Sequence, residues 1–92
     1  MNVRFTLEAL THIAEVRYYL AARSPRGADR IVERIFAEAD RLGDFPQIGH
    51  AGIVAGTLEW IVPRLPYIIV HEIAASGDEV VVLGIFHGAQ HR

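Results

Sequence analysis

Hydrophobic and polar positions along the 92 residues change their period twice, near residue 6 and again near residue 50. Asn2 to Thr6 alternates, with Val3 and Phe5 on one side, and reads as a short strand. Thr6 is a suitable N-cap, and Glu8 follows in the first turn, where the helix end is positive. Leu10, Ile13, Val16 or Arg17, and Leu20 then recur at helical spacing, predicting a helix over Leu7 to Ala22. Ser24-Pro25 restarts the chain as N-cap and first helical residue. The second helix carries Ala28, Ile31, Val32, Ile35, Ala39 and Leu42 on one face, and Gly43 stands where a left-handed C-cap is expected. The tight link makes the two helices a hairpin.

Asp44-Phe45-Pro46-Gln47-Ile48-Gly49-His50 reads as a loop from its Pro and Gly. Strand-type patterning follows: Thr57 to Val62, Tyr67 to Ile73 and Val80 to Phe86, with a hairpin turn at Ala75-Ser76-Gly77-Asp78. The order predicts a single α+β domain over residues 1–92: an N-terminal strand, a helical hairpin, then a three- to four-stranded antiparallel sheet. Ile68, Ile69 and Val70, like Val80 to Leu83, do not alternate, which predicts strands buried on both faces. The hairpin covers one face. Either a bound partner or the chain's own loops and tail must cover part of the other.

Composition narrows the chemistry. With 51% hydrophobic residues and a mean hydropathy of +0.22, the chain is apolar for a small domain, pointing to a partner surface or a homo- or hetero-oligomer. There is no cysteine, so disulfides, thiolate metal sites and cysteine nucleophiles are excluded. Net charge is −2, so direct DNA binding is not expected. All nine basic residues are arginine, which closes any mechanism needing a lysine. No apolar run approaches the roughly 20 residues of a membrane span, and Met1 to Thr6 has no signal-peptide core; the cytoplasm is the expected compartment.

Several segments together resemble the RelE/ParE toxin family of bacterial type II toxin–antitoxin systems. Leu42 followed by Phe45-Pro46 and Ile48-Gly49-His50 is similar to the family's helix-to-sheet junction, with His50 where arginine is usual. Thr57-Leu58-Glu59-Trp60 looks like the strand that starts the sheet. Leu65-Pro66-Tyr67-Ile68-Ile69-Val70-His71 resembles the family's central strand, and Ile85-Phe86-His87 its closing strand. His91-Arg92 falls where many members carry a basic tail. The resemblance implies a toxin neutralised by a cognate antitoxin. Its RelE-like branch cuts mRNA on the ribosome; its ParE-like branch is associated with inhibition of DNA gyrase.

A ribonuclease needs a base, an acid and cations around the developing phosphorane charge. Here Glu59 and His87 are the available base and acid, with Arg64 as the cation. Lysines are absent, the arginine common after the "PY" position is Ile68, and the tyrosine expected at the strand's end is His71. These departures favour the ParE-like branch, acting by binding rather than catalysis; the alternatives are a RelE-like ribosome-dependent mRNA endoribonuclease and an inactive member that retains only antitoxin binding. His87, His91 and Arg92, in the polar C-terminal run, are then the candidates for contacting the target. Tyr19, Trp60 and Tyr67 are the aromatic candidates for contacting a partner; for Trp60, core packing is the competing role. Tyr18 and Tyr19 cannot share one helix face, so one should be exposed or at an interface. Arg26, Arg30 and Arg34 form a stripe interleaved with Asp29, Glu33 and Glu38, which reads as a solvated face with pairs such as Arg30–Glu33 and Arg34–Glu38. His87 and His91 have ligand spacing, but Gly88 argues against the helix that spacing needs. No metal or cofactor is expected.

Overall fold

The computed structural model describes residues 1–89. Its elements are β1 (Asn2–Phe5), α1 (Leu7–Ala21), α2 (Pro25–Asp44), β2 (His50–Ala51), β3 (Leu58–Ile61), β4 (Tyr67–Ile73) and β5 (Glu79–His87). The arrangement is α+β, as the patterning predicts. The sheet has five strands in the order β1-β5-β4-β3-β2. β2 to β5 are antiparallel neighbours, and β1 lies parallel to β5, pairing Asn2 with Glu79 through Phe5 with Val82. The sheet is therefore mixed.

Local chemistry sets the helix starts. Thr6 Oγ1 accepts from the Ala9 N–H at 3.1 Å, and Ser24 Oγ from the Gly27 N–H at 3.0 Å. The end of α2 differs from expectation. Gly43 is not a left-handed cap; the helix runs on through Asp44, and the Phe45 N–H caps it on the Arg41 carbonyl. Gly43 is required for another reason. A Cβ there would stand 2.6 Å from the Met1 carbonyl oxygen, so only glycine lets β1 cross α2 this closely. The Met1 amino group donates to the Gly43 carbonyl at 2.8 Å.

The core lies between the helical hairpin and the sheet. Ile13 from α1, Val32, Ile35, Ala39 and Leu42 from α2, and Ile69, Val80, Val82 and Ile85 from the sheet are buried together. A bulge between Val70 and His71 shifts the β4–β5 register by one residue. β4 is buried on both faces over Tyr67 to His71, as its continuous apolar run predicts. Part of the far face is covered from within the chain. The segment after β2 brings Ile53 and Val54 to a half-open hollow of about 210 Å³ that they line with Val70, Leu83 and Phe86. The cost is exposure of Ile53 and Val54 themselves, at 62% and 67%.

The arginine stripe on α2 is solvated, but its partners differ from the expected helix pairs. Arg34 donates to the Pro63 carbonyl at 2.7 Å, and Glu38 faces Arg41 at 3.5 Å. Asp29 pairs with Arg17 of α1, tying the two helices together. Among the described residues, no helix is long and apolar enough to cross a membrane.

Candidate functional site

Two regions gather chemistry, one on each face of the sheet. On the far face, Glu59 sits in β3 between His50 of β2 and Val70 of β4. It is 6% exposed. One carboxylate oxygen accepts from the Ile53 N–H at 3.2 Å, and the other lies 3.3 Å from His50 Nε2. Glu59 thus anchors the segment that covers the far face. Gly49 makes this approach feasible: it has φ of 102°, and a Cβ there would stand 2.2 Å from the Glu59 carbonyl oxygen. The Phe45–His50 junction, which the sequence marks as a loop and as part of the resemblance, therefore has a physical role. Pro46 presents its carbonyl to His71 Nε2 at 3.1 Å, Ile48 packs on the core, Gly49 allows close contact, and His50 faces Glu59.

His71 replaces the expected strand-end tyrosine and is fully buried. Among the described residues, its Nδ1 has no hydrogen-bond partner. Burial lowers its pKa below the ordinary histidine value, against a smaller opposite pull from the Pro46 and Ile69 carbonyls. The ring is neutral, with its proton on Nε2. Sequence reading missed this residue as a titrating group, because nothing local distinguishes it from a solvated strand-end histidine.

The second region lies where β1 stops and β5 runs on. β1 pairs with β5 only as far as Val82. Beyond that point side chains of the β1–α1 junction occupy the open edge. Thr6 Oγ1 donates to the Leu83 carbonyl at 3.3 Å, and the Ile85 N–H donates to His12 Nδ1 at 3.1 Å. Next to this edge a cleft of about 420 Å³ is lined by Glu15, Val16, Tyr19, Tyr67, His87 and Ala89. A second hollow of about 280 Å³ continues it along β5, with Glu15, Val16, Tyr67 and His87 common to both. Tyr67 and His87 are register partners, their rings edge to face with centroids 5.7 Å apart. His87 Nδ1 accepts from the Ala89 N–H at 3.1 Å, so the neutral ring carries its proton on Nε2. Tyr67 is 7% exposed, and burial, with a smaller contribution from Tyr19, raises its pKa, so the hydroxyl stays protonated.

The residues named from sequence are distributed unevenly. Tyr19, Tyr67 and His87 meet in the one cleft, although the first two were grouped as partner-binding and the third as target-binding. Trp60 lies elsewhere. It packs against the core and donates its indole N–H to Glu38 at 3.2 Å, which also explains how that carboxylate is tolerated in α2's buried face. Glu59 and His87 do not meet. Glu59 aligns with Val70 and hence with Gly84, three residues short of His87 and two strands away, a separation of roughly 10 Å along and 10 Å across. Arg64 occupies the β3–β4 turn with a left-handed φ of 67° and is exposed. His91 and Arg92 lie outside the described residues. Sequence reading passed over His12 and Glu15; only their helical spacing from Val16 and Tyr19 signals a common wall. Among the described residues, no three His, Asp or Glu side chains gather as a metal site.

Comparison with known proteins matches this geometry to one family. The model of the ParE toxin of the type II toxin–antitoxin system parDE matches residues 3–92. The provisionally named toxin Y4kP of Sinorhizobium fredii is 33% identical over 89 residues, covering 97% of this chain and 90% of its own. Toxin RelE2 of Caulobacter vibrioides is 32% identical over 73 residues, 79% of this chain and 81% of its own. The solved structure of the chromosomal ParDE toxin–antitoxin system from P. aeruginosa shares the fold, with a TM-score of 0.82 at 20% identity and 95% of each chain covered. With a family model spanning nearly its whole length and a relative above 30% identity, the chain belongs to the ParE toxin family of type II toxin–antitoxin systems.

Proposed function

We propose that this toxin acts by binding, as a ParE-like inhibitor of DNA gyrase held inactive by a cognate antitoxin. The ParE family match carries this reading. The similarity to a toxin from a ParDE system supports a partner antitoxin. Two structural features agree with it. The only base, acid and cation that sequence suggested for phosphodiester cleavage are spread over both faces of the sheet, and Glu59 is engaged with Ile53 and His50. Phosphoryl chemistry requires preorganised donors around one reacting group, and removing a single donor from such a site costs about 10²–10³ in rate. A binding toxin needs only an exposed patch, and His87, His91 and Arg92 supply polar groups near the C-terminus.

The test is expression without antitoxin, followed by two assays. Growth arrest with inhibited supercoiling by purified toxin, relieved by adding antitoxin, supports the proposal. Codon-specific cuts in ribosome-bound transcripts that disappear in Glu59→Ala or His87→Ala would replace it with the ribonuclease reading.

A further inference from the structure

The cleft between α1 and the end of β5 holds a polar group without a partner. Tyr67 is more than nine-tenths buried, yet its hydroxyl makes no hydrogen bond among the described residues, and the residue lines the cleft. The hydroxyl opens onto the cleft, where it is free to bond a group that enters. The other groups in the wall define what such a ligand must offer. His87, with Nδ1 already engaged by the Ala89 N–H, has a donor left on Nε2. Tyr67, kept protonated by burial, is a second donor. Glu15 adds an acceptor to the lining, and Val16 and the Tyr19 ring supply apolar wall.

A ligand that is only an anion would satisfy the two donors but meet Glu15. One that is only a cation would satisfy Glu15 but not the donors. A carboxamide satisfies both, since its oxygen accepts and its NH2 donates. The site also continues along β5 past the end of β1, through the second hollow lined by His12, Ile85 and Phe86. Strand alternation turns the His87 backbone N–H and C=O toward this side, because the Ile85 N–H two residues earlier points there, to His12. An extended chain lying in line with β1 would meet these groups while one side chain enters the cleft.

We propose that the cleft is an anchor site for an asparagine or glutamine side chain of an extended partner segment, hydrogen-bonded to Tyr67 and His87 and backed by Glu15. Given the toxin–antitoxin reading above, on which this rests, the segment belongs to the antitoxin. Because His87 is also a candidate target contact, antitoxin seated here covers it directly.

The experiment is a titration of the purified toxin with its co-encoded antitoxin, repeated with Tyr67→Phe, which removes only the hydroxyl. Each Asn or Gln of the antitoxin is replaced in turn by Ala in both backgrounds. We expect Tyr67→Phe to weaken binding about three- to tenfold, the span for one neutral hydrogen bond. One antitoxin Asn or Gln should lose affinity in the wild-type background and lose little more in Tyr67→Phe. Unchanged affinity in Tyr67→Phe, or a loss coupled to no Asn or Gln, overturns the proposal. Glu15→Gln, an exposed substitution that leaves the fold intact, provides a second reading and should also weaken binding. Wild-type toxin that does not bind the antitoxin at all would refute the functional reading instead.

Discussion

The two helices of the hairpin cover the same sheet but were built to different rules. α2 is apolar on one face and charged on the other. Its inner residues Val32, Ile35, Ala39 and Leu42 are buried, and Arg30, Glu33, Arg34 and Arg41 point outward. α1 is apolar on both faces. Ala9 and Ile13 are buried inside, while Leu7, Leu10, Tyr18 and Tyr19 remain 80%, 44%, 84% and 64% exposed. A helix needs only one apolar stripe to fold against a sheet. The second stripe of α1 is therefore unexplained by the stability of this chain, whereas the single buried stripe of α2 is accounted for by it. The difference separates the residues that make the fold from those left over for other surfaces, and both chemically distinctive α1 residues, Glu15 and Tyr19, line the cleft beside β5.

The contrast is broken most forcefully in the core. Leu42→Ala or Ile35→Ala on α2 removes a fully buried side chain and leaves a cavity, which should cost about 2–5 kcal/mol. Leu7→Ala at the start of α1 should change stability by less than about 0.5 kcal/mol. Urea unfolding followed by circular dichroism separates the two. Equal losses would mean that α1's outer face is buried in the free protein, by self-association or otherwise.

Gly43→Ala sharpens the comparison at α2's end. Alanine is the better helix former by about 1 kcal/mol. Its Cβ would nevertheless press on the Met1 carbonyl, and overpacking against backbone costs about 1–3 kcal/mol. The expected outcome is net destabilisation of about 1 kcal/mol, with faster amide exchange in β1. A stabilised variant would show that β1 is docked more loosely than this contact requires.

These contrasts also explain what was legible in the sequence. The hairpin and the two long strands were readable because hydrophobic period is a local property, and Ser24-Pro25 and Ser76-Gly77 punctuate locally. The place of β1 was not, since its partner lies more than 75 residues away and four residues carry no signal of parallel pairing. β2 was read as loop because a two-residue strand has no period. Gly43 was assigned by its position after Leu42, when the cause was a crossing strand. For the cleft, Tyr19, Tyr67 and His87 were each singled out, but their meeting depends on the β4–β5 register and on the angle at which α1 crosses β5. Sequence spacing encodes neither. The sequence offers Glu59 only as the base of the ribonuclease alternative or as a solvated strand residue, because the burial and partners that make it an anchor are tertiary facts.

Acid offers a gentler probe, directed at the sheet beneath α2's C-terminal end. His71 is held neutral in the fold by burial, so its folded pKa is depressed. The unfolded chain takes up its proton near the ordinary histidine value of about 6.5 and the folded one does not, so stability rises with pH in this range. The contribution is fully present above about pH 6.5 and is lost as pH falls below it. For one proton the slope cannot exceed about 1.4 kcal/mol per pH unit. Urea midpoints between pH 7.5 and 5.5 should therefore decline, and His71→Gln, though less stable overall, should show a flatter decline. Parallel slopes in the two proteins would exclude His71 as the source.

The smallest effect on stability is expected on the outer face of α1, where it says most about the helix. Leu7, Leu10, Ala14 and Tyr18 are spaced by three, four and four residues and lie along one stripe facing solvent. Tyr18 is 84% exposed, so Tyr18→Ser gives up little packing, and the change in unfolding free energy should stay within about 0.5 kcal/mol. Exposed apolar stripes instead set how strongly a protein associates without specificity. Tyr18→Ser combined with Leu10→Gln should therefore raise the concentration at which the free toxin remains monodisperse in sedimentation, with an unchanged urea midpoint. The matched control is Phe36→Ser on α2, whose ring packs edge to face on Phe5 at 5.3 Å and is partly withdrawn from solvent. That change should lower stability while adding less solubility, because it breaks a β1–α2 contact. If instead the α1 pair destabilised the fold and the Phe36 change did not, the division of labour between the two helices would be reversed, and α1 would be the helix whose apolar surface the free chain needs.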